Sequence, residues 1–341
     1  MRIALILTGG TICSRTASDG ARRSDAGTAL TVLEQHYRLA HPFSSVEFQT
    51  HIPLNCLSED LTPDDWCTLL RTIASLDISR LDGILIAHGT DTLEQTAAML
   101  SAALCGIGIP VVLVSAIAPL SDAMTNGHAN FEAAVKLICK HLSGGVWAVY
   151  RNLSGEVYVH RGFDLLPCQH ESMDFFSGTM QTLEQVLGAE PEMKKSTRTD
   201  LRALAVHALH APEVMLLHPY NGLRYDRLSL AGAAAVVHGT YHSETANSVR
   251  FSPYGMQALI RRCREQEIPC FLAPCHLHGE SYGSSCDLVH EGAIPLEGMT
   301  LPFAYGAVWV SVMLGYADDY LTGHVRQLRQ SLESQSFRCC I

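Results

Sequence analysis

Several things are scarce in this chain of 341 residues, and each scarcity excludes a class of protein. No stretch approaches the ~20 apolar residues that a membrane-spanning helix needs. The segment GAVWVSVMLGYA at 306–317 falls short of that length and reads as a buried helix. The apolar run after Met1 and Arg2 ends at Thr8, too early for the hydrophobic stretch of a secretory leader, so the expected compartment is the cytoplasm. Charge is thin, at 17% of residues, and cations are outnumbered 24 to 34. The resulting net charge of −10 repels nucleic acid and anionic membranes at long range, so neither is expected as a partner. Internal repeats and low-complexity segments are absent.

The twelve cysteines include no Cys-x-x-Cys pair. Scattered cysteines in an unexported chain of this size read as reduced thiols. The densest group, PCFLAPCHLHGESYGSSCDLVH, holds Cys270, Cys275, His276, His278, Cys286 and His290, but at spacings that fit no common zinc site. No metal is expected, and the terminal Cys339–Cys340 pair sits on a polar tail.

What is present is a strand–helix alternation. IALIL (3–7), LDGILIAHG (81–89) and IPVVLVSA (109–116) read as short strands buried on both faces. Between the last two, DTLEQTAAMLSAALCG has helical spacing and a glycine stop, which makes a right-handed strand–helix–strand crossover. TPDDWCTLLRTIASL (62–76) is a helix announced by Thr62 as N-cap, Pro63 at its first position and two aspartates in its first turn. NFEAAVKLICKHL (130–142) is another. These elements predict an α/β fold: a larger, doubly wound, mainly parallel sheet domain over 1–187. A polar linker over 188–211 leads to a smaller C-terminal α/β domain over 212–341.

Two strand ends carry the chemistry. The first strand stops at Thr8-Gly9-Gly10-Thr11, and ILIA stops at His88-Gly89-Thr90-Asp91-Thr92. Ligands of open parallel sheets bind beyond such carboxyl ends, and glycine lets backbone N–H groups come close to a ligand. A nucleotide fits poorly: no Lys-Ser/Thr completes a P-loop, and TGGTIC lacks Gly-x-Gly-x-x-Gly. A hydroxyl nucleophile fits better, because the turns supply threonines, N–H donors for an oxyanion and a second hydroxyl to relay a proton.

TGGTI near the N-terminus and HGTDTLEQTA some eighty residues later resemble the two signatures of the bacterial-type L-asparaginase family, most like its cytoplasmic type. LSEDLTPDDW, VVLVSAIAPLSDAMTNGHANFEAA and GAIPLEGMTLPFAYGAVWVSVMLG extend the resemblance along nearly the whole chain. It implies that Thr11 is the first nucleophilic threonine, Thr90 the second, and Asp91 the carboxylate that grips the substrate's α-amino group. Gly10 and Gly89 would line the site. Ser58 stands where a serine binds the α-carboxylate, and Glu59 where glutamine or serine is usual beside it. No cofactor is implied. The implied partners are a small-molecule amide and further copies of the chain, as a homodimer or homotetramer.

Departures from the family pattern are concentrated in side-chain support. The loop CSRTASDGARRSDAG lacks the usual tyrosine, the nearest being Tyr37. No lysine lies between Lys140 and Lys194, where the family keeps one beside its second threonine; HRGFDLLPCQHES offers His160, Arg161, Cys168, Gln169 and His170 instead. Arg161 stays protonated and cannot serve as a base, whereas a histidine near neutral pH can. Ala118 replaces an arginine, Asn126 an aspartate, and GTYHSETANS (239–248) lacks a glycine-asparagine-proline pattern. The reading is therefore an asparaginase-like amidohydrolase, with Glu59 favouring a cationic or amine-bearing group on the substrate. Two alternatives stay open: an amino-acid or amide binder without turnover, and an ammonia-releasing subunit resembling the family's amidotransferase branch.

Overall fold

The computed structural model describes residues 1–16, 19, 21–189, 199–276 and 282–334. Residues 190–198 of the linker expected at 188–211, His278 and the Cys339–Cys340 pair lie outside the described residues. Strands β1 (Arg2–Leu7), β2 (Ser14–Thr16), β3 (Arg22–Ser24), β4 (Glu47–His51), β5 (Gly83–Ala87), β6 (Pro110–Val114), β7 (Gly145–Arg151), β8 (Val157–Arg161) and β9 (Gln181–Thr182) come first. All but β2 and β3 join one sheet in the order β4-β1-β5-β6-β7-β8-β9, parallel from β4 to β7 and antiparallel beyond. Between β4 and β7 the chain runs 2-1-3-4-5, so the winding reverses between β1 and β5. That is the switch point at which a doubly wound sheet opens a crevice.

Alternation along β1 explains why its whole IALIL run is buried. Ala4 and Ile6 face one core layer and Ile3, Leu5 and Leu7 the opposite one. Helices α1 (Ala26–Ala40) and α4 (Gly127–Cys139) cover the second layer; α2 (Pro63–Ala74) and α3 (Leu93–Ala103) cover the first. The expected Thr62 cap is built as a reciprocal box with Asp65, whose carboxylate accepts from both the Thr62 N–H (2.8 Å) and its hydroxyl (2.7 Å). The helix read over 130–142 starts earlier, at Gly127, where Asn126 ends the preceding loop.

A smaller parallel sheet follows, β10 (Val214–Leu217), β11 (Ala235–Gly239), β12 (Cys270–Ala273) and β13 (Ile294–Pro295), paired in chain order. The apolar segment noted at 306–317 is the buried helix Leu301–Met313. It lies against α3 so closely that a Cβ at Gly306 would meet the Met99 nitrogen at 2.7 Å. Trp309 also meets Trp66 edge-on, at 5.2 Å between ring centroids. Trp66 in turn donates from its indole to the Thr96 hydroxyl at 3.1 Å, which satisfies a polar tip inside this core. No helix among the described residues is long and apolar enough to cross a membrane.

Candidate active site

The two glycine turns meet backbone to backbone at the switch point. A Cβ on Gly10 would stand 2.0 Å from the Gly89 Cα, and one on Gly89 would stand 2.3 Å from the Ser58 Oγ. Gly9 and Gly10 have φ of 117° and 74°, which side chains rarely adopt, so sterics and dihedrals both require glycine. The Gly10 N–H donates to the Cys56 carbonyl at 2.8 Å, and this bond joins the segment before Ser58 to the first turn. Three stretches distant in sequence are thereby fixed within one crevice.

Thr11 opens a single 3-10 turn, Thr11–Cys13, directly after Gly10. Its hydroxyl, on a half-buried residue, makes no hydrogen bond among the described residues. Its carbonyl accepts from the Ser14 hydroxyl at 2.9 Å, which holds the turn. The nearby Cys13 is no rival nucleophile, since burial pushes its thiol up to about 12.

Thr90 is held quite differently. Its hydroxyl donates to the Ala116 carbonyl at 2.9 Å and shares a 2.7 Å bond with the Ser115 hydroxyl. With the single Thr90 proton on Ala116, Ser115 is the donor of the second bond. Ser115 and Ala116 follow β6, so three adjacent carboxyl ends, β1, β5 and β6, contribute to the crevice. The N–H groups of Gly89 and Thr90 make no backbone hydrogen bond among the described residues.

Asp91 points the other way, toward Ser58. Its N–H donates to the Ser58 Oγ at 3.2 Å, and that hydroxyl lies 3.5 Å from its carboxylate. Ser58 is buried in the turn Ser58–Asp60, and its carbonyl accepts from Thr92 at 3.0 Å. Glu59, the next residue, is exposed.

Of the groups considered as a base for Thr90, none reaches it. His160 is buried in β8 with Nδ1 2.9 Å from the Ser177 hydroxyl, and burial holds it down at about 4, hence neutral. His170 is exposed. Tyr37, the nearest tyrosine to the first turn, is buried in α1 and bonded to Ser44 at 3.0 Å. The loop in question instead forms the β2–β3 hairpin, with Arg15 paired to Asp25 at 2.9 Å.

Two further groups border the site, and one of them, Glu94, no sequence pattern singles out. Glu94, in the first turn of α3, is 2% exposed with its Oε2 unpartnered. Burial, assisted by the Asp91 charge, raises its carboxyl to about 7. Cys168 is half-buried, and burial together with the charges of Glu94, Asp91 and Asp174 lifts its thiol to about 11. The Cys/His-rich segment disperses: Cys270 lies against Cys263, His276 pairs with Glu244 at 2.6 Å, and His290 is exposed on the helix Gly283–Glu291.

A doubly wound sheet with paired threonine turns closed over its switch point, accompanied by a smaller parallel sheet, defines the class: an α/β protein with its candidate site on the carboxyl edge of the larger sheet. The chain belongs to the asparaginase family, whose N-terminal model matches residues 2–199, more than half its length. It is similar to a glutamyl-tRNA(Gln) amidotransferase subunit of Thermococcus kodakarensis, at 26% identity over 93% of this chain and 72% of that protein. A probable L-asparaginase of Deinococcus radiodurans is 34% identical over a shorter stretch, 42% of this chain and 41% of that one. Among solved structures, the thermostable L-asparaginase of Thermococcus kodakarensis shares the fold with a TM-score of 0.73 at 20% identity, over 96% of each chain. A probable cytoplasmic L-asparaginase of Campylobacter jejuni gives 0.72 at 18%, over 97% of this chain and 99% of that one.

Proposed function

We propose that the chain is an amidohydrolase that cleaves a carboxamide of an amino acid through Thr11. The observation that carries this reading is the closure of the two glycine turns on one another, which brings Thr11 and Thr90, each the residue after its glycine, to one place on the sheet edge. Thr11 attacks the carbonyl carbon, and the Gly89 and Thr90 amides hold the oxyanion. The Thr90 hydroxyl, fixed by Ser115 and Ala116, relays the proton to the departing amine, and water then releases the acyl group. Asp91 and Ser58 receive the ammonium and carboxylate of the substrate backbone, with Glu59 at the mouth. The reaction needs no cofactor.

The catalytic turns belong to a unit over 1–187, joined through 188–211 to a smaller unit over 212–341, and the protein works as a homodimer or homotetramer. A cytoplasmic setting suits the ten free thiols among the described residues. A second reading, an amide binder without turnover, is favoured by one observation: the partners of Thr90 are a hydroxyl and a carbonyl rather than a base. The test is ammonia release from asparagine, glutamine, their D-isomers and asparaginyl peptides, with Thr11→Ala alongside. Release that disappears in the variant supports the enzyme. Silence across the panel, with thermal stabilisation by the same compounds, supports the binder.

A further inference from the structure

Next to the crevice, on the same edge of the large sheet, lies a second cavity. It has a volume of about 220 Å³ and sits beyond the carboxyl ends of β6 and β7. Ile117, the residue after the Ala116 carbonyl that holds Thr90, forms its near wall. Met124, Leu153 and Met173 form the rim, and all three are large apolar side chains left exposed. Tyr150 is the buried floor.

The cavity's amide side chains are already committed to the backbone. Asn126 accepts from the Ile117 N–H at 2.9 Å and donates to the Arg151 carbonyl at 2.8 Å. Asn152 exchanges two 3.1 Å bonds with Phe175. What remains for a ligand is the apolar rim, the Tyr150 hydroxyl, which is buried without a hydrogen-bond partner, and one cation. The exposed Arg151 guanidinium donates to the Gly155 carbonyl at 3.0 Å and has no carboxylate partner among the described residues. An occupant with an apolar body and a carboxylate fits these walls.

Position decides which part of a substrate enters. Asp91 and Ser58 lie on one side of Thr90, and Ala116, Ile117 and the cavity on the other. A substrate anchored by its amino-acid end at Asp91 and Ser58, with its amide carbonyl at Thr11, directs whatever is attached to its amide nitrogen toward Ile117. We propose that this cavity is a leaving-group subsite, and that the preferred substrate is a secondary amide: an aspartyl residue linked through its side-chain carbonyl to an apolar α-amino acid, whose carboxylate meets Arg151. This inference rests on the amidohydrolase reading. Thr11 forms an ester with the aspartyl side-chain carbonyl, and the carbon–nitrogen bond breaks. The amine leaves carrying the proton relayed from Thr11 through Thr90. Water then hydrolyses the ester, yielding aspartate and the free amino acid.

The test compares β-aspartyl-leucine, asparagine and asparaginyl-leucine, scoring leucine and ammonia separately, with Arg151→Gln and Arg151→Lys. The expected result is a kcat/KM for β-aspartyl-leucine at least tenfold above that for asparagine. Arg151→Gln should reduce it about tenfold through KM, Arg151→Lys should retain most of it, and asparagine turnover should be unchanged in both. Asparagine cleaved as well as or better than β-aspartyl-leucine overturns the subsite but leaves the amidohydrolase standing. So does a preference for asparaginyl-leucine with ammonia release, or an equal effect of Arg151→Gln on both substrates. No cleavage of any of the three, by the same protein, overturns both.

Discussion

The two threonine turns are built from the same residue types and held in opposite ways. Thr11 follows two glycines of positive φ, opens a turn of three residues and leaves its hydroxyl unbonded. Thr90 follows one glycine and sits just ahead of α3, and its hydroxyl is bonded twice. A nucleophile needs a lone pair free to attack, whereas a relay needs a fixed orientation, so the contrast supports the roles proposed for the two threonines without appeal to which comes first. It also separates function from stability: removing the Thr11 hydroxyl leaves nothing unpaired, and removing the Thr90 hydroxyl leaves Ser115 and Ala116 without a partner.

The comparison breaks most visibly at Thr11. Thr11→Ala should lower kcat on the order of 10⁴-fold, while changing the unfolding free energy by less than about 0.5 kcal/mol. Steady-state rates and urea denaturation on one preparation check both halves. A variant that retains a tenth of the activity would pass the nucleophile's role to Thr90.

Glu94, beside Asp91, tests the second turn through pH. Its carboxyl is raised from 4.5 to about 7 by burial, so the folded state holds a proton that the unfolded chain releases earlier. Its contribution is complete below about pH 4.5 and is lost as pH rises through about 7, at a cost of about 3 kcal/mol. Buried His88, His160 and His238 act in the reverse sense. Burial lowers each from 6.5 to about 4, so their contribution is lost as pH falls through that interval. Glu94→Gln should therefore gain stability over the parent progressively between pH 4.5 and 8 in denaturant titrations. A difference constant with pH would mean that Glu94 is ionised in the folded protein.

Thr90→Val sharpens the contrast itself. A fall in kcat of about 10²-fold should come with a stability loss of about 2 kcal/mol, because two buried partners lose their bonds. The two threonines thus trade places, one costing rate alone and the other costing both. Equal stability losses in the Thr11 and Thr90 variants would erase the distinction.

Much of this was legible in the chain. The buried strands announce themselves as short apolar runs, and Gly10 and Gly89 mark turns where a backbone must come close. The Thr62–Asp65 box is a local pattern that needs no tertiary information. What could not be read depends on register between distant strands. His160 is a residue type that can serve as a base, but β8 pairs it with Ala148, and its ring turns to Ser177. Ser115 offered one unused signal: it follows the apolar run of β6 as Thr8 follows that of β1, at a third carboxyl end. Glu94 offered none, because the packing of α3 against the helix Leu301–Met313 and the turn Gly162–Asp164 joins segments remote in sequence.

Ser115 carries the smallest expected effect and probes the contrast most directly. Its hydroxyl donates to the oxygen of Thr90, so it favours negative charge developing there and has no counterpart at Thr11. Ser115→Ala removes one neutral hydrogen bond, worth about 1 kcal/mol, and should lower kcat by about fivefold with KM unchanged. Ser115→Thr, which keeps the donor, should recover most of the rate. A purely structural serine would show the same stability loss with kcat unchanged, and kcat would not follow the donor back in Ser115→Thr.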